Sequence, residues 1–195
     1  MVSITLEGVI ITYFGDQCFR VESGPVGILI DPMNNRLKGD ILLRTSAPTD
    51  SLPEGKTEIT FAGEYEIGGI EIQGWQLINE STAKELKTVY GVTWEGVKLL
   101  FLGGLKEPLS ADIIDQVGEV DVLFVPTGGD YLSPEVAVSL TKKIDPKFII
   151  PYGPKAASEF MKKLGLPAEP QEKLVFKKKE LGETEQKVIL LSSNS

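Results

Sequence analysis

Four acidic residues stand near the ends of predicted strands or in loops, where their side chains could reach a shared cleft. They are Asp16, Asp31, Asp50 and Glu64. Carboxylate oxygens are the ligands that Mg²⁺ and Ca²⁺ prefer, so these residues predict a weak cation site if the fold brings them together. Asp16 and Asp31 can instead cap turns through their side chains, which is a common role of aspartate beside a turn.

The chain contains no histidine. Histidine is the commonest general base and metal ligand, and it is the side chain that titrates near neutral pH. Its absence excludes Ser-His-Asp and Cys-His catalysis, every zinc site that includes an imidazole, and imidazole pH switches. The one cysteine, Cys18, lies in a predicted strand beside Phe19, which favours a buried structural thiol.

The composition predicts a single globular domain over residues 1–195. Hydrophobic residues make up 42% of the chain and charged residues 25%, which is typical of a soluble domain. The net charge of -8 disfavours binding to nucleic acid or to an anionic membrane, because both need a positive field. The sequence has no apolar run of the ~20 residues that span a bilayer, and its start lacks a signal-peptide pattern. We therefore expect a cytoplasmic protein.

The first half of the chain reads as strands separated by turns. The predicted strands are Ser3 to Phe14, Cys18 to Glu22, Gly27 to Asp31, Ile41 to Leu43, Glu58 to Phe61, Gly69 to Gly74, Lys87 to Trp94 and Val97 to Leu102. Pro48 and Pro53 forbid a regular helix after the fourth strand, so Arg44 to Asp50 is predicted to be a loop. Gly103-Gly104 and Gly128-Gly129 each follow an apolar run, and a steric or turn role is the favoured interpretation of both pairs.

The second half alternates helices with apolar strands. Ser110 and Ser133 can each cap a helix, the second with Pro134 at its first position. The predicted elements are a helix from Ser110 to Gly118, a strand Val122 to Val125, a helix from Ser133 to Ile144, a strand Phe148 to Ile150, a helix Ala156 to Leu164, and a closing strand pair of Leu174 to Phe176 with Val188 to Leu191. Strand-rich sequence followed by αβ units predicts two layers of sheet with helices outside.

Several separated segments resemble the metallo-β-lactamase superfamily, specifically its branch of small hydrolases similar to ascorbate-phosphate lactonase. Ile11 to Phe19 looks like that branch's strand and Gly-His-x-Cys-Phe turn, with Asp16 where histidine is usual. Ile28 to Pro32, Gly63 to Ile70, and Gly118 to Pro126 followed by Gly128-Gly129 are also similar to it. The resemblance runs from about Ile4 to Pro151. It implies an α/β (α+β) fold, a four-layer αββα sandwich.

The resemblance also indicates where the family's metal ligands would stand. In that family, a His-x-His-x-Asp-His motif and later residues hold one or two metal ions that activate water. Thr45, Ala47, Thr49 and Asp50 occupy the four motif positions, and Gly104 stands in place of a bridging aspartate. The family's late Pro-x-His is similar to the segment Pro151, Tyr152, Gly153 here. Since none of the four motif positions keeps the family's residue, we expect the family's zinc site to be absent and no cofactor to be bound.

Three functions are compatible with this pattern. The first is a catalytically inactive member, a pseudoenzyme that keeps the fold for binding a small molecule or for assembly. The second is a hydrolase of altered chemistry, which would use carboxylate-bound Mg²⁺ or Ca²⁺ or a carboxylate acid and base. The third is a structural subunit of a homo-oligomer or hetero-oligomer, because similar lactonase-like proteins self-assemble. The residues expected around the former site are Asp16, Asp31, Thr45, Ala47, Thr49, Asp50, Glu64, Gly104 and Tyr152.

Overall fold

The structure is a computed structural model that describes residues 8–50, 53, 55, 57–153, 157–182 and 185–194. Its strands, in chain order, are β1 (Val9–Tyr13), β2 (Phe19–Ser23), β3 (Val26–Ile30), β4 (Ile41–Leu43), β5 (Ser46–Pro48), β6 (Glu58–Ile59), β7 (Gly63–Ile67), β8 (Ile70–Gln76), β9 (Glu85–Trp94), β10 (Val97–Phe101), β11 (Val122–Pro126), β12 (Phe148–Tyr152), β13 (Pro170–Gln171), β14 (Lys173–Phe176), β15 (Lys187–Val188) and β16 (Leu190–Leu191). The helices are α1 (Ala111–Val117), α2 (Pro134–Ile144), α3 (Ala157–Leu164) and α4 (Lys178–Leu181).

Two large sheets form the body of the structure. The first has six strands in the spatial order β14-β1-β2-β3-β4-β6. The second has eight strands, seven of them in the order β15-β12-β11-β10-β9-β8-β7, and the eighth, β5, pairs with β9 off this path. Neighbouring strands in the first half of the chain are mostly antiparallel, whereas β10, β11, β12 and β15 run parallel. Helices lie in the connections between β10, β11, β12 and β15, as is usual for parallel pairs.

The hydrophobic core has two parts, one on each face of the eight-stranded sheet. One part joins inward-facing side chains of both sheets, among them Phe19, Tyr90 and Phe124. The other part packs the opposite face of the eight-stranded sheet against α1, α2 and α3, with Phe160 and Ala137 fully buried. Along β1 and β2 buried residues alternate with partly exposed ones, as expected for a sheet with one face on a core.

The two predicted helix caps are confirmed. The Ser110 side chain accepts a hydrogen bond from the Ile113 amide, and the Ser133 side chain accepts one from the Val136 amide, both at 3.3 Å. Each serine satisfies an amide of the first helical turn that has no partner within its helix. The structure contains no helix, within the residues it describes, that is long and apolar enough to cross a membrane.

Two strand predictions are wrong. The predicted loop Arg44 to Asp50 contains β5, which pairs antiparallel with the start of β9. The prolines exclude a helix but permit an extended strand end. The predicted closing pair does not form: β14 pairs with β1, β15 with β12, and β16 with β13. Short apolar runs specify an extended conformation without specifying a partner.

Other boundaries differ by a few residues. The start of the predicted first strand, Ser3 to Glu7, lies outside the described residues, and so does Ala156 at the start of the predicted third helix. Strand β7 lies beside β8 at the edge of the eight-stranded sheet. The sequence analysis treated its residues as part of a family motif and predicted no strand there. The exposed Glu64 and Glu66 in β7 explain the weak strand signal, because glutamate is depleted in strands.

Candidate functional site

The candidate site is built around a hydrogen-bonded pair, Asp31 and Thr45. Asp31 follows β3, and Thr45 lies between β4 and β5. The parallel pairing of β3 with β4 brings the two residues near each other, and β5 is paired with β9. The Thr45 amide donates to Asp31 Oδ1 at 2.7 Å, and the Thr45 hydroxyl donates to Oδ2 at 2.5 Å. Both carboxylate oxygens of Asp31 therefore accept hydrogen bonds from one residue.

Burial has the largest effect on the pKa of Asp31. Desolvation raises the pKa of Asp31 to about 6, against the lowering effect of the two Thr45 hydrogen bonds and of the Arg44 charge. Cys18 is fully buried nearby, and burial together with the Asp31 charge raises its thiol pKa to about 11. Because reactivity requires the thiolate, Cys18 is unsuited to nucleophilic chemistry at neutral pH. The prediction that its thiol is buried is confirmed.

The turn after β10 packs directly against Thr45. Gly103 has a φ of 56°, and a Cβ built on it would lie 2.5 Å from the Thr45 Cβ. The Gly103 carbonyl accepts a hydrogen bond of 2.5 Å from the buried hydroxyl of Tyr152, at the end of β12. A Cβ on Gly104 would lie 3.1 Å from the Gln17 amide nitrogen. Threonine, two glycines, tyrosine and glutamine thus occupy the centre of the site.

Replacing Tyr152 by phenylalanine is expected to lower the free energy of unfolding by about 1 to 2 kcal/mol, because the buried Gly103 carbonyl loses its hydrogen bond. Chemical denaturation of the wild type and the variant measures this difference. The Tyr65→Phe variant is a matched control, because that hydroxyl donates at 3.0 Å to the Phe61 carbonyl at a partly buried position. A smaller loss at Tyr152 than at Tyr65 would contradict the expectation.

Two cavities of about 320 Å³ each lie beside this centre. The first is lined by residues that include Gln17, Thr45, Lys87 and Gly104. The second is lined by Tyr13, Asp16, Asp130, Tyr131 and Gly153. Asp130 and Tyr131 line both cavities, and Gln17 Nε2 donates to the Tyr131 hydroxyl at 3.2 Å. The two cavities are therefore neighbouring halves of one cleft, which we call the divided cleft.

The structure brings some of the predicted site residues together and separates others. Asp31, Thr45 and Gly104 lie at the centre with Tyr152, and Asp16 lines the second cavity. Ala47 is buried in β5, opposite Leu86 of β9.

The remaining predicted residues lie along β5 or farther away. The Thr49 amide donates to the Lys84 carbonyl and its hydroxyl to the Ala83 carbonyl, each at 3.0 Å, which extends the pairing with the β9 segment. Asp50 is exposed just beyond it. Glu64 lines a different cavity, on β7 and β8. The segment aligned with the metal motif, Thr45 to Asp50, thus consists of β5 and the residues on either side of it.

The residues present do not fit the metal ions of the family. Within the described part of the chain, no three side chains of histidine, cysteine, aspartate or glutamate are grouped so that they could hold a metal ion. The one carboxylate at the centre, Asp31, already accepts two hydrogen bonds. A zinc site needs three or four nitrogen, sulfur or carboxylate ligands, and threonine, alanine and glycine do not supply them. Of the four carboxylates predicted to share a cation site, Glu64 and Asp16 line different cavities.

The cleft residues that the sequence analysis missed include Gln17, Lys87 and Tyr131. Gln17 stood inside the quoted turn motif next to Asp16 and could have been found there. Lys87 is reached through the pairing of β5 with β9, which the predicted loop concealed. Tyr131 contacts Gln17 across 114 residues of sequence, and no local pattern indicates that contact.

Comparison with known proteins identifies the fold. A family model described as a beta-lactamase superfamily domain matches residues 10–153. No curated protein matches the sequence. Among solved structures, a proposed Zn-dependent hydrolase of the metallo-beta-lactamase superfamily from Thermotoga maritima is 26% identical, with a TM-score of 0.76, covering 94% of this chain and 98% of the other.

Two further structures are similar at lower identity. Igni18, a metallo hydrolase from the archaeon Ignicoccus hospitalis, is 22% identical with a TM-score of 0.67, covering 87% of this chain and 99% of the other. YhfI from Bacillus subtilis, a metallo-beta-lactamase fold protein, is 10% identical with a TM-score of 0.62, covering 96% and 97%. These similarities confirm the predicted metallo-β-lactamase fold, with its two large sheets and outer helices.

Proposed function

The chain belongs to the beta-lactamase superfamily, and we propose that it is a non-catalytic member whose divided cleft binds a small polar molecule without a metal ion. Its assignment to the small lactonase-like branch is part of this proposal and rests on the segments Ile28 to Pro32 and Gly63 to Ile70. Self-association, which the same resemblance implies, stays a prediction.

The observation that carries the proposal is the use of the site's one central carboxylate in a hydrogen-bonded pair. Both carboxylate oxygens of Asp31 accept hydrogen bonds from Thr45, and by the family resemblance Gly104 stands in place of a bridging aspartate. Metal-activated hydrolysis depends on lowering the pKa of bound water from 15.7 to about 7. With no imidazole in the chain, this site has neither the ligands for such an ion nor the usual general base.

The cleft supports a binding role. Its two halves of about 320 Å³ each have a size suited to small ligands, and ligand pockets typically combine a few polar groups with apolar walls. Gln17, Thr45 and Tyr131 supply amide and hydroxyl groups, and Leu77 and Leu102 supply apolar surface.

A hydrolase that uses carboxylates as acid and base is the second candidate, favoured by the raised pKa of Asp31, about 6. A group that titrates near neutral pH suits proton transfer. Against this candidate, Asp31 lines neither half of the divided cleft, and both its oxygens already accept hydrogen bonds. A general base must reach its proton within hydrogen-bonding distance.

Metal analysis tests the proposal. The protein is produced without a histidine tag in medium supplemented with zinc, iron and manganese, dialysed, and analysed by mass spectrometry of the elements. We expect well under one metal ion per chain and no hydrolysis of ester, lactone, thioester or phosphodiester substrates above the buffer rate. The Thermotoga maritima relative, processed in parallel, is the positive control. One or more tightly bound metal ions per chain, or metal-dependent turnover, would contradict the proposal.

A further inference from the structure

We infer that the free edge of β7 is a docking site for an extended segment of a partner protein, which pairs antiparallel with β7 and carries basic residues at alternate positions. The groove beside this edge shares no lining residue with the divided cleft, so the inference goes beyond the proposed function. It rests on the backbone groups of the edge and on the charges of the side chains next to it.

Strand β7 has a partner on one side only. It ends the eight-stranded sheet, where it pairs with β8, and no other described strand pairs with it. The two residues of the turn between β7 and β8, Gly68 and Gly69, have φ values of 58° and 82°, as in the type I′ turn of a two-residue hairpin. A turn of this kind is closed by a hydrogen bond between its flanking residues. These are Ile67 and Ile70, which lie directly opposite each other.

The closing hydrogen bond determines which backbone groups of β7 are free. Hydrogen-bonded and non-hydrogen-bonded pairs alternate along antiparallel strands. Because Ile67 bonds to β8, Tyr65 and Gly63 also bond to β8, whereas the amides and carbonyls of Glu64 and Glu66 point to the free edge. An added antiparallel segment would form hydrogen-bonded pairs with these two glutamates, as in recognition by β-strand addition.

The side chains beside the free edge carry negative charge that is not balanced. Glu64 and Glu66 lie on one face of β7, and Glu71 of β8 is directly opposite Glu66 on that face. All three are exposed, and among the described residues none of them belongs to an ion pair. Glu66 Oε1 accepts a hydrogen bond of 2.9 Å from the Gly69 amide, which carries no charge. Since like charges directly opposite each other destabilise a sheet, a basic side chain placed beside them is favourable.

A groove of about 470 Å³ lies on the same face of the sheet and is lined by all three glutamates. Its floor includes Gln73 and Thr93, which provide polar groups, and Trp75, which provides apolar surface. Among its described lining residues the one cation is Lys98, and the ammonium group of Lys98 already donates to the Val117 carbonyl at the end of α1. The groove therefore has an excess of negative charge and room for the long side chain of a lysine or arginine.

The opposite face of β7 indicates what lies between the basic residues of the partner. Tyr65 and Ile67 are partly buried and pack against the core between the two sheets. Successive residues of a strand point to opposite faces, so the residue between two basic ones would lie beside Tyr65. An apolar residue there buries further apolar surface. The expected pattern of the partner segment is therefore basic, apolar, basic.

A second copy of β7 does not fit the edge. Antiparallel pairing of two β7 strands would place glutamates opposite glutamates, which is destabilising. The net charge of -8 adds to the repulsion between copies. Charged residues on edge strands are a common protection against such pairing. Glu64 and Glu66 thus disfavour a second copy and favour a basic segment.

Amide NMR titration of the full chain with short peptides tests the inference. The probe is a peptide with blocked ends in which lysine and valine alternate, and the comparison peptide has glutamate in place of each lysine. We expect the lysine peptide to bind about tenfold more tightly, because the cross-strand pairs with Glu64 and Glu66 change from repulsive to attractive. It should shift the amide signals of both residues, and its affinity should fall with rising salt concentration.

N-methylated peptides separate strand addition from simple charge attraction. Methyl groups on the lysine amides remove the donors that would reach the carbonyls of Glu64 and Glu66, so binding should be lost. Methyl groups on the valine amides leave these donors in place and should weaken binding less. Equal effects of the two modifications would overturn the inference, because the lysine peptide would then be held by its charge alone.

Variants of the protein provide the matching controls. Glu64→Lys combined with Glu66→Lys should reverse the preference toward the glutamate peptide, and Glu64→Gln combined with Glu66→Gln should remove the preference. Glu119→Lys, at an exposed position outside the groove, should keep it. Binding of the lysine peptide that charge reversal leaves intact would overturn the inference. So would a wild-type oligomer, detected by light scattering, in which the β7 amides are protected from hydrogen exchange, because a second copy would then occupy the edge.

Discussion

Replacing Gly103 by alanine should lower the free energy of unfolding by about 2 to 5 kcal/mol. Two costs add at this position. A residue with a Cβ pays about 1 to 2 kcal/mol for left-handed backbone, and Gly103 has a φ of 56°. The new Cβ would also lie 2.5 Å from the Thr45 Cβ, and overpacking of this kind typically costs a further 1 to 3 kcal/mol. Urea denaturation monitored by circular dichroism measures the change.

The chain contains a close control for the conformational cost of placing a Cβ at a positive φ. Gly68, in the turn between β7 and β8, has a φ of 58° and nothing within 4 Å of a built Cβ. Gly68→Ala should therefore show only the conformational cost of about 1 to 2 kcal/mol. The double variant Gly103→Ala with Thr45→Gly should show a favourable coupling energy, because removing the Thr45 Cβ relieves the clash. Equal losses at Gly103 and Gly68 would show that the contact with Thr45 carries no cost.

Much of the frame could be predicted from the sequence. Apolar alternation and turn residues predict the strands, and serines followed by apolar residues at helical spacing predict the starts of α1 and α2. The segment from Ile28 to Pro32 also indicated Asp31 as a site residue. These signals are local, so they can be recognised in a single sequence.

The arrangement of the site could not be predicted in the same way. Thr45 was identified as a replaced ligand, yet its hydrogen bonds to Asp31 depend on the parallel pairing of β3 with β4. Thr49 and Asp50 were expected in the cleft, but pairing of β5 with β9 carries them to its margin. These outcomes are decided by strand partners far apart in sequence. A one-residue change of register would turn each side chain to the opposite face.

The contribution of Asp31 to the free energy of unfolding is expected to decrease by about 3 kcal/mol as the pH rises from about 4 to about 7. The pKa of Asp31 is raised from 3.8 to about 6 in the folded state. Between these values the folded chain binds more protons than the unfolded chain, so the free energy of unfolding falls with rising pH. This contribution is fully present below pH 4 and is lost above about pH 6. A shift of about two pKa units corresponds to about 3 kcal/mol.

Asp31→Asn isolates this contribution, because asparagine keeps the size of the side chain and does not titrate. Urea denaturation of both proteins across this pH range should show the wild type losing about 3 kcal/mol relative to the variant. Thr45→Val provides a second comparison: it removes the hydroxyl that donates to Oδ2 at 2.5 Å. Because that hydrogen bond favours the ionised form, its loss should raise the pKa of Asp31 further and move the loss of stability to higher pH. A constant difference between wild type and Asp31→Asn would mean that Asp31 ionises equally well in the folded and unfolded chains. In that case the hydrogen bonds from Thr45 would offset the effect of burial on the pKa of Asp31.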